Sequence, residues 1–375
     1  MKKASLAVHA GTRPDTISGG INTPIVTSSA FDYLDQPEVR YPRYFNLSNQ
    51  QAVVDKLCAL EAAEDGLLFA SGMAAITAIF STELNSGDHA VLLAGLYGGT
   101  HEWAIHEFAK RGIEVDFVAP DSQAIEQACR DNTRLIYIES PTNPLLRVVD
   151  IKAVADIARA RDIRTAIDNT FASPVLQNPL RHGFDYVMHS ATKYLGGHSD
   201  LCCGIVVASK ERIADLRPTA VRYGGSVNAQ TAALLERSLK TLALRVERAS
   251  RNALAIATAL ADSDGITRVY YPGLETDPQH TVAAGQMSAF GGMLAFELAS
   301  SIDPVDYQRR LKLIVPAVSL GGVESTICQP VATSHQKMPA ADRHKLGIGD
   351  SLLRLSTGIE DVGDLIADLR QALQV

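Results

Sequence analysis

The sequence predicts an α/β protein in which a mostly parallel sheet, covered by helices on both faces, is followed by a smaller α/β region. Two observations carry this. Short apolar runs at 90–93, 115–118, 135–138, 165–167, 186–188 and 204–208 alternate with segments of helical periodicity. Strands divided in this way by helices of about a dozen residues pair in parallel through right-handed crossovers. The chain is also long and apolar, 375 residues at 46% hydrophobic, which is enough for a large core and favours two domains.

Taken in order, residues 1–48 are rich in Gly, Pro, Ser and Thr without periodicity and read as an extended arm with turns at Gly19-Gly20 and Pro24. Residues 49–64 place Val53, Leu57 and Leu60 on one stripe, the first core helix. The segment 150–161 puts Ile151, Val154, Ala155 and Ala158 on one face. From Asn228 a long helical stretch, broken once, runs to Asp262. Strands near 269–271, 293–297 and 352–356 follow it. The expected organisation is an arm at 1–48, a large domain at 49–245 and a small domain at 246–375.

The formal net charge of −7, with no long basic runs, argues against nucleic acid or an anionic membrane as partner. The apolar stretch after Met1-Lys2-Lys3 is too short for a signal peptide. No run reaches the roughly 20 apolar residues that cross a bilayer. The five cysteines are odd in number and lack C-x-x-C spacing, so a reducing cytoplasm is expected, without a disulfide framework or a zinc site.

Polar clusters fall at the carboxyl ends of the apolar runs, where ligands sit in parallel sheets. Glu139-Ser140-Pro141-Thr142-Asn143-Pro144 follows one run, Asp168-Asn169-Thr170 another, and Ser190-Ala191-Thr192-Lys193 a third. Lys193 stands among hydroxyls and before Gly196-Gly197, as a covalent cofactor anchor needs partners for anionic oxygens and close backbone approach. Desolvation there favours its free amine. Asp168 ends a strand where a carboxylate is costly unless it meets a cation, such as a protonated ring nitrogen. Ser71-Gly72-Met73 reads as a tight turn opening a helix, where backbone N–H groups can hold a phosphate. Together these are the protein's half of a pyridoxal 5'-phosphate site.

The stretches Tyr41-Pro42-Arg43, Ser71-Gly72-Met73, Leu96-Tyr97-Gly98-Gly99-Thr100, Glu139 to Pro144, Asp168-Asn169-Thr170, Ser190-Ala191-Thr192-Lys193 and Arg354 to Asp361 come in the order of the Cys/Met-metabolism (trans-sulfuration) family of pyridoxal-phosphate enzymes, which the chain resembles from about His9 to its end. The resemblance implies the aspartate-aminotransferase-like fold type I, pyridoxal 5'-phosphate as cofactor and a homotetramer built from two catalytic dimers. It implies that Tyr41 and Arg43 reach the neighbouring subunit's cofactor phosphate. Gly72, Met73, Ser190 and Thr192 are expected to cradle the phosphate, Tyr97 to stack on the ring and assist catalysis, and Asp168, with Thr170 beside it, to pair with the ring nitrogen. Asn143 is expected near the phenolic oxygen and the substrate, and Ser319 and Arg354 at the substrate carboxylate. The implied activity is carbon–sulfur elimination from cystathionine or a related amino acid, with γ-replacement on an acylated homoserine as the alternative.

Several positions depart from the family pattern. Asn46-Leu47-Ser48 stands where Asn-Pro-Thr is usual, Gly99 where methionine γ-lyases carry cysteine, Val318 where glutamate is common, and Glu102 where arginine is common. The far end of the substrate is therefore expected to be recognised differently. Rival classes fit less well. His101 and His106 are one residue too far apart for H-E-x-x-H and fall about 140° apart on a helix, and no G-x-G-x-x-G follows a strand.

Overall fold

The computed structural model describes residues 1–336 and 338–374. Its larger sheet has seven strands, β1 (Asp65–Phe69), β2 (His89–Leu93), β3 (Glu114–Val118), β4 (Thr133–Glu139), β5 (Arg164–Asp168), β6 (Tyr186–Ser190) and β7 (Gly204–Ala208), in the order β1-β7-β6-β5-β4-β2-β3. The run from β6 to β3 is parallel, as the alternation with helices requires. β7 is antiparallel to both β6 and β1. The chain between Lys193 and Gly204 is too short for a crossover helix, and a strand that returns without one must run backwards. The inner strands are largely apolar without alternation because both faces are covered, and β2 and β7 are buried at every residue, whereas the edge strand β3 alternates Glu114 and Asp116 with apolar residues and is partly exposed.

β1 had no counterpart in the sequence reading. It begins close after the helix Ser48–Glu61, and its one short run does not separate from the helix before it. Gly66 is needed there: a Cβ would sit 2.7 Å from the carbonyl oxygen of Val206 in β7.

The helix Ile151–Ala160 forms as its pattern requires, with Asp150 capping it by accepting from the N–H of Ala153 and with Ile151, Val154, Ala155 and Ala158 buried. The long helical stretch breaks between Leu239 and Leu242. The second part, Leu242–Ala261, contains the expected boundary near 245 and packs on the smaller sheet. That sheet comprises β8 (Ile266–Tyr270), β9 (Met293–Leu298), β10 (Val315–Pro316), β11 (Thr326–Cys328) and β12 (Leu352–Ser356), ordered β10-β11-β12-β9-β8. β10 and β11 are too short to show a period.

The arm is not wholly extended. Its helix Lys3–His9 lies against the core, and the buried Lys56 ammonium donates to the carbonyls of Val8 and Ala10. Thr23 donates to Glu236, and Asn49 holds both the N–H of Val26 and the carbonyl of Pro24. Beyond these ties Tyr33, Leu34, Val39 and Tyr41 are exposed.

Two clasps position the site from a distance. The buried guanidinium of Arg245 donates to the carbonyls of Tyr194, Leu195 and Ser238, pinning the turn that follows Lys193. Gly197, at φ +68°, leaves room for it, since a Cβ there would overlap the guanidinium. The Asp368 carboxylate accepts from the N–H groups of Lys312, Leu313 and Ile314, at the start of the segment that leads to Ser319. Burial alone would raise its pKa, but these donors outweigh burial and hold it below the ordinary value near 3.8. Asp368→Asn should therefore cost about 2 kcal/mol in urea unfolding at neutral pH. Because the folded pKa is depressed, the wild-type advantage is full above pH 3.8 and shrinks as the pH falls through the folded value. Equal stability of the two proteins at neutral pH would contradict this.

Candidate active site

The ends of β4, β5 and β6, the start of the helix Gly72–Glu83, the segment 318–320 and Arg354 within β12 of the smaller sheet meet around one cavity of about 600 Å³. That volume lies within the usual range for small-molecule sites. Its walls carry Gly72, Met73, Tyr97, Asn143, Asp168, Thr170, Ser190, Thr192, Lys193, Ser319 and Arg354. Residues spread over most of the chain thus line one cavity.

Lys193 and Arg354 meet on one residue. The Lys193 Nζ donates to the Ser319 Oγ at 2.7 Å, and Arg354 Nη2 donates to the Ser319 carbonyl at 3.1 Å. Ser319 takes a left-handed backbone, φ +75°, which is unusual for a side-chain-bearing residue and turns both of its oxygens to these cations. Arg354 Nη1 donates to Asn143 Oδ1 at 2.8 Å, while its buried Nε has no hydrogen-bond partner among the described residues. Burial, and then the charge of Arg354, push the Lys193 ammonium below its ordinary range.

On the sheet side two carboxylates stand next to each other. Glu139 and Asp168 are register partners at the ends of β4 and β5, and both are buried. Burial raises each, and Glu139 is driven well up by the additional charge of Asp168. Asp168 Oδ1 accepts from the N–H and the hydroxyl of Thr170, and the Thr170 oxygen in turn accepts from the N–H of Ser190 at 2.8 Å. Glu139 accepts from the N–H of Tyr97 at 3.0 Å. Glu139 closes the apolar strand β4 as Asp168 closes β5, so the sequence carries the same signal for both acids.

Ser71 caps the helix Gly72–Glu83 by accepting from the N–H of Ala74 at 3.1 Å. A Cβ on Gly72 would lie 3.0 Å from the Cβ of Ser190, so glycine there lets the helix start and the end of β6 approach without a shift of Ser190. Thr192 lines the cavity, yet its hydroxyl is engaged with both the carbonyl and the N–H of Cys203. It ties the Lys193 turn to the approach of β7 as well as facing the cavity. Cys202, Thr333, Ser334 and Gln336 also line the cavity and were not anticipated.

Tyr41 and Arg43 do not line this cavity. Both lie in the exposed part of the arm, where Arg43 Nη1 donates to the carbonyl of Val221 at 2.8 Å. Val318 is 71% exposed on the cavity wall. Glu102 lines an adjoining cavity of about 860 Å³, which meets the first at Tyr97, Thr333, Ser334 and Gln336. Among the described residues no cluster of His, Cys, Asp and Glu is suited to hold a metal, and no helix is long and apolar enough to cross a membrane.

The family model for the Cys/Met metabolism PLP-dependent enzymes matches residues 4–374. The chain belongs to that family. It is 42% identical over 378 residues to a cystathionine gamma-lyase of Bacillus subtilis (strain 168), covering 100% of each chain. It is 41% identical over 372 residues to a cystathionine beta-lyase of Lactococcus lactis subsp. cremoris (strain MG1363), covering 98% of this chain and 97% of the relative. Its fold matches that of a cystathionine gamma-lyase from Lactobacillus plantarum, solved with L-serine, at a TM-score of 0.95 and 39% identity, over 99% of this chain and 98% of that one.

Membership of the family implies pyridoxal 5'-phosphate, and the cavity fits it. Gly72 and Met73, at the start of the helix Gly72–Glu83, line the cavity beside Ser190, where helix-start N–H groups can meet a phosphate. The buried acids need a cation of the kind a ring nitrogen supplies, and the unpartnered Arg354 Nε needs an acceptor.

The lowered Lys193 pKa generates a prediction for the cofactor-free protein. Its neutral amine should appear at lower pH than that of a surface lysine, and removing the second cause in Arg354→Gln should shift the rate–pH curve for acylation of Lys193 to higher pH. Site-resolved labelling by mass spectrometry checks this, and coincident curves in the two proteins would contradict it.

Proposed function

We propose that the chain is a carbon–sulfur lyase of trans-sulfuration, eliminating from cystathionine or a related thioether amino acid. The observation that carries this reading is the joint hold of Ser319 on Lys193 and Arg354 in the cavity that also contains Asp168. Bound pyridoxal 5'-phosphate supplies an electron sink for the pair left when a proton leaves the substrate Cα. The planar Arg354 guanidinium, aided by Ser319 and Asn143, takes the α-carboxylate, with its Nε–H as the donor still lacking a partner. Lys193 is the residue that would hold the cofactor covalently, and its amine would be the base nearest the substrate carboxylate held by Arg354. Its depressed pKa then suits the amine to accept the Cα proton near neutral pH. Elimination at Cγ needs a second proton moved from Cβ, which Lys193 and the phenol of Tyr97 share.

In this reading Asp168, held by Thr170, would pair with the ring nitrogen, Gly72, Met73, Ser190 and Thr192 would hold the phosphate, and Tyr97 would stack on the ring. Tyr41 and Arg43 serve the cofactor phosphate of a neighbouring subunit, within a homotetramer of two catalytic dimers. Their position outside the chain's own cavity, on an arm with exposed Tyr33, Leu34 and Val39, supports this. The five free cysteines suit a reducing cytoplasm.

Incubation with cystathionine should release a thiol together with pyruvate or 2-oxobutyrate. Formation of a thioether from an O-acyl homoserine and a thiol, with no oxo acid released from cystathionine, would contradict the lyase reading.

Subunit exchange tests the arm. Arg43→Ala and Lys193→Ala chains should each have below about a hundredth of wild-type activity, since each removes a group needed in every site. Mixed dimers should regain one intact site. Mixed dimers that form but stay inactive would place the arm in its own subunit.

A further inference from the structure

Behind the cavity lies a buried polar group with no part in the proposed chemistry. Glu61, the last residue of the helix Ser48–Glu61, is fully buried. Its Oε1 accepts from His189 Nε2 at 2.7 Å and from Asn169 Nδ2 at 2.9 Å, and its Oε2 accepts from Asn178 Nδ2 at 3.0 Å. His189 is likewise fully buried, and its Nδ1 has no partner among the described residues.

The position of this pair is set by alternation along the strand ends. Asp168 and Ser190 face the cavity, whereas the residues beside them, Asn169 and His189, face the opposite side and meet on Glu61. One carboxylate thus grips the backbone next to both. All three partners donate to it, which suits an ionised Glu61. A carboxylate at the carboxyl end of a helix is opposed by the helix dipole and, once buried, needs a cation.

The charged groups within reach are few. Lys3, on the arm helix, donates to the Val175 carbonyl and feels both Glu61 and Arg181. Asp168, on the cavity side, feels His189, and the Cys58 thiol lies near Glu61. His189 is the only one of these cationic candidates with a hydrogen bond to Glu61.

We propose that Glu61 and His189 form a buried ion pair that acts as a positioning couple, holding the strand ends that bear Asp168 and Ser190 and keeping positive charge behind Asp168 so that this carboxylate stays ionised against the cofactor ring nitrogen. The charge on His189 opposes the burial of Asp168, in the same sense as Lys193 does from the cavity side. The inference rests on the pyridoxal-phosphate reading of the cavity.

The test uses full-length protein reconstituted with pyridoxal 5'-phosphate, reading the cofactor Kd and the pH midpoint of the bound cofactor's visible absorbance. His189→Gln keeps a donor for Glu61 while removing the charge, so it separates charge from packing. It should raise Kd about tenfold and move the midpoint by about one pH unit, the two being the same free energy read in different ways. Glu61→Gln should act in the same direction, and Glu61→Asp should restore most of the loss. In an Asp168→Asn background the added effect of His189→Gln should fall below about twofold, because the two residues act through one interaction. Wild-type Kd and midpoint in His189→Gln, or an undiminished effect in the Asp168→Asn background, would overturn the couple. A wild-type protein that takes up no cofactor would instead overturn the reading of the cavity itself.

Discussion

The active-site end of this molecule is governed by two carboxylates that parallel pairing places side by side. Glu139 and Asp168 end neighbouring strands in register, both buried, and neither can be ionised there at low cost without positive charge close by. The fold supplies that charge from elsewhere in the chain: Arg354 from β12 of the smaller sheet and Lys193 from the turn after β6. The smaller sheet and its packing against the larger one are thereby tied to the chemistry. Ser319 fixes the spacing of the two cations through its side chain and its backbone.

What holds the cations is as specific as what needs them. Arg245 closes the turn after Lys193, Asp368 anchors the segment ahead of Ser319, and Asn143 orients Arg354. Each is a charged or amide side chain satisfying groups that would otherwise be buried alone, which is where a polar core confers precision of geometry. Val318 lines the same cavity, and Glu102 lines the adjoining one, which shares Tyr97 with it.

Much of this was legible in the sequence because strand-end residues are local. The apolar runs placed Asp168, Ser190 and Lys193 directly, and Ser71-Gly72 announced a helix start that the cap of Ser71 bears out. Arg354 and Ser319 lie far along the chain from Lys193, and no periodicity links them. Only the resemblance pointed to them. The backward run of β7, the double engagement of Thr192 with Cys203 and the clasp of Arg245 depend on the three-dimensional path of one turn. β1 escaped notice because a short apolar run directly after an apolar helix carries no boundary. Glu139 had the same signal as Asp168, and its role emerges only when register puts the two acids together.

The central claim is that one lysine, Lys193 in the turn after β6, is the group to which the cofactor is joined. Borohydride reduction of the reconstituted protein followed by proteolysis and mass spectrometry of the peptides tests it most directly. The account predicts a pyridoxyl adduct on Lys193 and none on the remaining lysines; an adduct on any other lysine, with Lys193 unmodified, would contradict it.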